Sequence, residues 1–431
     1  MLLIFTHKVT NRLTYTAKQL FEKILGMEVS FTTKVEEFIK HSGPKMTYSK
    51  QPLQNEFFIR SNDLLFEQGI NDVDIKVADW DGVPCFFAAG DKSAIPFDIF
   101  SASFFLLSRY EEYLPHVKDS VGRFPVKESL AYQHKFLEMP VVDLWAFKLL
   151  AALKERFPNI RRKDRTYSCT SIINVTTSHA YAMRGFIRTL GGMFLDLGKL
   201  KFGQVVQRFS VLLGIKKDPY DNFFELVDIH KKYPIKTMFF FQFAKHSAHD
   251  KNISINNNKF RYLIKSIADY SMVSLSTSFL SSTNKEVLKE EKRQLGNLIN
   301  RPINYSRLRY NRVNVPAAYR NLVETEFTDD FSMGYTHEIG FRAGTCTPFH
   351  FYDINMEVRQ PLKVHPFAMH DYALVNYRKK DEVFEKMDRV YRLVKQVNGN
   401  FVMVFSNELL GGKQHLDWMD LYQSFIKRYY V

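Results

Sequence analysis

Polar side chains stand where the predicted buried strands of this chain end, which is where α/β enzymes usually carry their chemistry. In chain order, the strand-end residues are Asn174 and Thr176, Gln242, Ser276, Arg307 and Arg309, Asp329 and Asp330, His365, and Ser406 and Asn407. A hydrolytic metal site needs His, Asp, Glu or Cys, because these groups donate strongly to a divalent ion. Two of the seven strand ends offer such a group. The others present amides, hydroxyls and guanidinium groups.

The acidic and histidine groups allow two interpretations. Asp329-Asp330 could serve as a metal or base pair, but adjacent strand residues face opposite ways, so at most one can point into a barrel. A turn or an ion pair with arginine is the more ordinary interpretation. His246 and His249 have a metal-like spacing in a polar loop, where solvated histidines are common. The segment HPFAMHD (365–371) is better placed, since it follows a predicted strand.

Composition limits the class of protein. The 431 residues suffice for two or three domains, and 45% hydrophobic and 25% charged residues are typical of a globular protein. Three scattered cysteines favour a reducing compartment, and the short apolar start does not resemble a secretory signal. No apolar run is long enough for a membrane span. We therefore expect a cytoplasmic protein.

A net charge of +14 would suit acidic polysaccharide, nucleic acid or anionic lipid headgroups. The basic residues are spread along the chain, and the densest cluster, RFPNIRRKDR (156–165), lacks a nucleic-acid-binding motif. We interpret this cluster as a solvated linker and expect no nucleic-acid partner.

The linker also marks the best domain boundary. Residues 1–165 alternate short strands and helices and predict a smaller α/β domain. In residues 166–431, strand candidates at 171–175, 235–243, 272–277, 305–310, 327–335, 364–368 and 401–406 alternate with helical patterns. That rhythm predicts a parallel sheet, open or closed into a (β/α) barrel.

Together, these segments resemble the polysaccharide deacetylases of carbohydrate esterase family 4, in a bacterial branch with an α/β N-terminal domain. The resemblance rests on SRYEEYLP (108–115), KESLAYQ (127–133), LLGIKKDPYDNF (212–223), DKNIS (250–254), KSIADY (265–270), TDDFSMGY (328–335), GFRAGTCTPF (340–349) and HPFAMHD (365–371). It implies a distorted (β/α) barrel in which a divalent metal, often zinc, activates water to hydrolyse an acetamide.

The resemblance also implies which positions should be catalytic, and this chain departs from them. Relatives would carry Asp-x-Asp at Asn174 and Thr176, and histidines at Ser276, Arg309 and Ser406. Asn is not a base, and Ser and Thr are poor zinc ligands. We therefore expect a degenerate, metal-free homologue with no cofactor. Its binding groove would use the retained residues Arg307, Asp329, Asp330, Arg342, His365 and Asp371.

Two other functions remain open from the sequence. The chain could be an active metal-dependent N- or O-deacetylase acting on a surface polysaccharide, with zinc or another divalent metal on displaced ligands, namely His246, His249, His365 and Asp371. It could also be an interaction module that binds an acidic glycan or a polysaccharide-assembly protein.

Overall fold

The amino-terminal part of the chain builds a small parallel sheet. The computed structural model describes residues 1–198, 200, 202–233, 235–412 and 415–430. The sheet order is β2-β1-β3-β4, and all its neighbours are parallel. Its strands are β1 (Leu2–Phe5), β2 (Val29–Thr32), β3 (Lys45–Ser49) and β4 (Phe57–Arg60). The antiparallel pair β5 (Val77–Trp80) and β6 (Val83–Phe86) follows as a separate hairpin.

Five helices cover this part. They are α1 (Asn11–Lys18), which a π-helical turn at Gln19–Ile24 continues, α2 (Val35–Lys40), α3 (Ile99–Leu107), α4 (Leu130–Gln133) and α5 (Val141–Arg156). Every residue of α3 is buried, so this helix lies inside the core rather than on the surface. Residues 157–167 then lead to the second sheet without helix or strand.

The second sheet has nine strands in the order β12-β13-β11-β10-β9-β8-β7-β15-β14. They are β7 (Ser168–Val175), β8 (Lys236–Gln242), β9 (Met272–Ser276), β10 (Tyr305–Arg307), β11 (Asp329–Asp330), β12 (Phe349–Asp353), β13 (Val358–Val364), β14 (Met369–His370) and β15 (Asn400–Ser406). All neighbours are parallel except β12 and β13.

Helices connect most of these parallel strands. They are α6 (Phe186–Gly198), α7 (Phe202–Leu212), α8 (Phe223–Lys232), α9 (Asn258–Ala268), α10 (Lys285–Ile299), α11 (Ala317–Glu324), α12 (Lys380–Gln396), α13 (Asn407–Gly411) and α14 (Trp418–Tyr429). The mixed α/β class predicted from the sequence is confirmed.

The large sheet is strongly curled. Seven strand spacings separate β13 from β14 in the sheet order, which would be about 34 Å in a flat sheet. Only five residue steps join Val364 to Met369, and these can span at most about 18 Å. The crossing segment donates backbone hydrogen bonds on both sides, from Phe367 to Met333 and from Ala368 to Val402. The sheet therefore closes towards a barrel around a buried apolar cluster, which includes Ile172 and Val404.

Three predicted strands are shorter than expected. The candidate 327–335 is wrong except at Asp329–Asp330, because the Asp330 carboxylate accepts hydrogen bonds from the amide and hydroxyl of Ser332 and turns the chain. The candidate 305–310 stops at Arg307, since Tyr310 and Asn311 take positive φ values of 58° and 52°. The candidate 364–368 is wrong except at Val364, because the chain there crosses between the two sides of the sheet. The sequence analysis also missed β12, β14 and the rest of β13.

Charged side chains join the two parts of the chain. Arg342 donates to Glu112, with Nη2 2.7 Å from Oε2, and Arg109 donates to the same carboxylate from the other side. All three residues are buried. Burial alone would raise the pKa of Glu112, but Arg342 and Arg109 hold it below its ordinary value. The motifs SRYEEYLP and GFRAGTCTPF thus meet in one structural contact.

Candidate functional site

A cavity lies at the carboxyl ends of the parallel strands. It encloses about 380 Å³. Six residues singled out in the sequence line it: Asn174, Thr176, Ser276, Arg307, Arg309 and Ser406. We call this cavity the strand-end pocket. The structure therefore brings together the five positions at which relatives would hold the base and the metal ligands, together with Arg307.

Alternation along the strands explains this convergence. Ile172 and Val404 point into the buried cluster inside the sheet. Asn174 and Ser406 follow them by two residues and so lie on the same face. The strands β7 and β15 pair in register, with Asn174 opposite Ser406. The pocket thus forms where the apolar cluster on the inner face of the curled sheet ends and the next inward-facing residues of the strands are polar.

Arg309 spans one side of the pocket. Its Nη1 donates to Thr176 Oγ1 at 3.0 Å, and its Nη2 donates to the backbone oxygen of His249 at 3.1 Å. The Nε atom lies 3.9 Å from Oδ1 of Asp250, and the guanidinium sits 4.3 Å from the centre of the Tyr310 ring. These contacts fix a positive charge beside Thr176, where the resemblance implies an aspartate.

Arg307 supplies a second and more deeply buried charge. Only 2% of its surface is exposed. Its Nη1 donates to the backbone oxygen of Phe331 at 2.6 Å, and its guanidinium lies 4.9 Å from the Phe367 ring centre. Within the described residues, no carboxylate oxygen lies within 4.0 Å of it. Burial lowers the Arg307 pKa to about 10, which leaves the group charged at neutral pH.

The acidic and imidazole groups near the pocket are already engaged. Asp371 accepts hydrogen bonds from the backbone amides of Ser406 at 2.6 Å and Tyr372 at 2.8 Å, and His370 Nδ1 lies 2.6 Å from its Oδ1. Glu408 accepts from the amide of Thr177 at 3.0 Å. Burial lowers the pKa of His370 and raises that of Glu408, so both environments favour the neutral forms.

The residues present do not fit a zinc ion. The Arg309 guanidinium, hydrogen-bonded to Thr176, stands among the positions at which the resemblance implies metal ligands, and its fixed positive charge opposes a divalent cation. Across the described ranges, no three His, Cys, Asp or Glu side chains group as a metal site would require. The alternative ligands also lie apart. His249 stacks on Phe279 with ring centres 4.0 Å apart, His365 pairs with Asp329, and Asp371 is engaged by backbone amides.

Several predicted groove residues lie elsewhere. His365 Nε2 is 2.6 Å from Asp329 Oδ1, and its ring stacks on Phe331, which belongs to the apolar cluster inside the sheet. Asp330 points to the other side of the sheet and accepts from the hydroxyl of Tyr319 in α11. Arg342 serves the contact between the two parts of the chain. These residues do not line the strand-end pocket, because strand alternation or pairing turns them away.

The pocket also contains residues that the sequence analysis did not select. They are His370, Tyr372 and Glu408, then Leu308, Tyr310, Asn311, Thr336 and His337, and from the amino-terminal part Val121 and Arg123. Arg123 pairs with Asp119 at 2.7 Å and donates to the backbone oxygen of Tyr310 at 3.2 Å. A search restricted to strand ends could not find Arg123. The sequence analysis did note the segments that contain His370 (HPFAMHD) and Glu408 (Ser406-Asn407-Glu408, at the end of β15). It did not predict that these two side chains line the pocket.

Comparisons with known proteins give one family model and several solved structures, each matching part of the chain. Residues 2–158 match a family model described as a family of unknown function, DUF7033. No curated protein matches the chain.

Solved structures with a similar fold include a protein classed as a polysaccharide deacetylase from Mycobacterium smegmatis, with 13% identity over 62% of this chain and 86% of that one and a TM-score of 0.40. A polysaccharide deacetylase from Bacillus cereus has 11% identity over 61% and 88%, with a TM-score of 0.30. A mutant of a CE4 family pseudoenzyme with restored enzymatic activity has 7% identity over 61% and 63%, with a TM-score of 0.30. Likenesses of this size say nothing about activity.

Proposed function

We propose that this chain is a deacetylase-like protein that binds an acidic glycan in the strand-end pocket and does not hydrolyse it through a metal. The observation that carries the proposal is the pair of guanidinium groups at the strand ends, with Arg309 hydrogen-bonded to Thr176. Arginine presents several donors in a planar fork and pairs well with carboxylate or phosphate. The motif resemblance supports a glycan as the class of ligand.

The surroundings of Arg307 strengthen the attraction for an anion. A buried charge without a close carboxylate is poorly solvated, so an anion that reaches it interacts more strongly than it would in water. The hydroxyl groups of Thr176, Ser276 and Ser406 line the same pocket and could bond to sugar hydroxyls. This combination suits a ligand that carries both acid and alcohol groups.

The same residues argue against the family's hydrolysis. Asn174 cannot accept a proton from water as an aspartate would, and a fixed guanidinium repels a divalent cation at short range. We therefore place the chain, in this proposal, among binding proteins of bacterial polysaccharide metabolism, either alone or with a polysaccharide-assembly protein. Its three cysteines are free and buried, which agrees with the cytoplasm as its compartment.

Calorimetric titration with two trisaccharides tests this proposal. The probes are trigalacturonate, which carries carboxylates, and its neutral counterpart galactotriose. We expect trigalacturonate to bind at least about tenfold more tightly, and its affinity to fall as salt is added, because charge attraction is screened. Equal, salt-insensitive binding of the two sugars, or no binding of either, would contradict the proposal.

A variant series locates the binding. Arg309→Gln removes the charge and keeps hydrogen-bonding capacity towards Thr176, so it should weaken trigalacturonate binding by about tenfold. The matched control is Arg293→Gln, since Arg293 is an exposed arginine on α10 that pairs with Glu290. The control should bind as the unchanged chain does. Equal losses in both variants would mean that the effect is one of net charge and not of the pocket.

A further inference from the structure

The helix α7 turns an apolar stripe outward. Phe202, Val206, Phe209 and Leu213 recur at helical spacing, and their exposed fractions are 60%, 64%, 47% and 71%. On the opposite face, Arg208 is only 6% exposed. Val211 is the other buried residue among those described in α7, so the helix buries one arginine and one valine and leaves the apolar stripe outward. An ordinary surface helix buries its apolar stripe and exposes its charges.

The inward position of Arg208 is well packed. Its guanidinium lies 4.9 Å from the ring centre of Tyr181. A β-carbon added at Gly192 of α6 would come within 2.7 Å of the Arg208 Nη1 atom, so glycine allows this close approach. The arginine therefore holds α7 against α6 and the segment before it. The outward apolar stripe is a consequence of this packing.

The apolar surface continues beyond α7. In α6, Phe194 is 69% exposed and Leu197 lies one turn further along. Leu200, between the helices, and Ile215, after them, are exposed as well. Gly214 ends α7 with a positive φ of 74°, and the amide of Ile215 donates back to Ser210. Monomeric proteins rarely expose so many large apolar side chains together. We therefore interpret the pair of helices α6 and α7, which we call the hairpin, as a contact surface.

Charge indicates what this surface contacts. Residues 186–217 contain one acidic residue and six basic residues, of which Arg208 faces inward. Lys216 and Lys217 directly follow the last apolar side chain and are exposed. The whole chain carries a net charge of +14. Exposed Phe and Leu flanked by Lys are the composition of helices that lie in the interface of an anionic bilayer.

We infer that the hairpin of α6 and α7 docks this protein on the surface of an anionic lipid bilayer. The docking would be peripheral, since none of the helices in the described ranges is long and apolar enough to cross a membrane. The hairpin follows β7 after the loop 176–185. Asp218 holds its base by accepting backbone hydrogen bonds from Ala180, Tyr181 and Ala182 at 2.8 to 2.9 Å.

Vesicle flotation of the full chain tests this inference. The vesicles are phosphatidylcholine alone or an equimolar mixture with phosphatidylglycerol. We expect the protein to float with the mixed vesicles and to do so less at high salt. Phe202→Ser with Phe209→Ser should reduce the bound fraction at least about tenfold, because both rings would lose their apolar contact. Lys216→Glu with Lys217→Glu should reduce binding to the mixed vesicles only.

Matched controls separate the hairpin from the rest of the surface. Val117→Ser with Met356→Ser removes two exposed apolar side chains elsewhere, and Lys259→Glu with Lys265→Glu makes the same change in charge on α9. Both controls should float as the unchanged chain does. Trigalacturonate binding should persist in all four variants, since none of these residues lines the pocket.

Two results would overturn the inference. One is an unchanged chain that stays with the unbound fraction in the presence of mixed vesicles. The other is that Phe202→Ser with Phe209→Ser abolishes self-association of the protein in solution but leaves flotation unchanged. That result would assign the surface to a contact between protein molecules.

Discussion

Arg307 and Arg309 carry the same charge in different surroundings. Arg309 has a carboxylate 3.9 Å away and two neutral acceptors, which compensate it in part. Arg307 is nearly inaccessible and donates to a backbone oxygen. Asp330 and Asp371 attract this charge, but no carboxylate oxygen of the described residues lies within 4.0 Å of it. A buried charge that is compensated only in part is costly, so the site gains stability when an anion arrives. In the proposed function, Arg307 thus attracts the anionic ligand. Arg309 attracts it as well and, through its hydrogen bonds, forms part of the pocket wall.

A buried carboxyl in α10 gives the molecule a measurable pH dependence. Burial raises the pKa of Glu291 from 4.5 to about 7, although the hydroxyl and amide of Ser278 oppose this. The folded chain therefore binds this proton more tightly than the unfolded chain. Its contribution to stability is complete below pH 4.5 and is lost as the pH rises towards about 7.

Glu291→Gln removes this titration and keeps an acceptor for the Ser278 amide. We expect the variant to lose less stability than the unchanged chain between pH 5 and 7.5, by roughly 2 kcal/mol. Urea unfolding at a series of pH values measures the difference. The exposed residue Glu286 in the same helix offers the control Glu286→Gln, which should leave the profile unchanged. If the free energy of unfolding depends on pH in the same way in the unchanged chain and both variants, the pKa of Glu291 is not raised by folding.

At the level of the strands, the pocket can be tested by restoring the family's ligand types. The variant Asn174→Asp, Thr176→Asp, Ser276→His, Arg309→His and Ser406→His should bind zinc, because all five positions line one cavity. The unchanged chain, purified without chelator, should hold no stoichiometric zinc. Calorimetric titration and melting with and without zinc provide the measurement, since a bound metal stabilises the folded state.

The control for this restoration keeps Arg309 and changes the other four positions. It should bind zinc much more weakly, because a guanidinium opposes a divalent ion at short range. A folded fivefold variant with neither heat nor a shift in melting temperature would mean that these side chains do not converge. The assignment of these positions to the family pattern would then be wrong.

Elements with a strong repeating pattern were predictable from the sequence. The periodic segments at α10 and α12, and the apolar runs at β7, β8 and β15, fold as expected, since each buries one continuous face. Short elements were not predictable. The strand β11 is two residues long because a side chain competes for the backbone amides, and only the folded neighbourhood decides such a competition.

The pocket shows the same division. Period-two alternation correctly groups Asn174, Ser276, Arg307 and Ser406. It could not place Arg123, which reaches the pocket from a distant part of the chain. The exposure of the apolar stripe of α7 could not be predicted from the sequence either, because an amphipathic pattern does not indicate which face of the helix will be buried.

On the scale of the whole molecule, Arg342 ties the two parts together. Arg342→Met should lower the free energy of unfolding by about 3 kcal/mol, since Glu112 would lose one of its two buried partners. Adding Glu112→Met should recover part of this loss, because the buried charge is then removed. Urea unfolding measures both. The exposed pair on α10 provides the control Arg293→Met, which should cost less than about 0.5 kcal/mol.

The position of β15 between β7 and β14 has a consequence for synthesis of the chain. Ser406 and Glu408 belong to the pocket wall, and β15 is the only partner through which β14 joins the sheet among the described strands. A nascent chain can fold its amino-terminal sheet early, as domains commonly do on the ribosome. The strand-end pocket must wait until residue 408 has left the exit tunnel. A chain released before that point would leave the flank of β7 open to strands from other molecules.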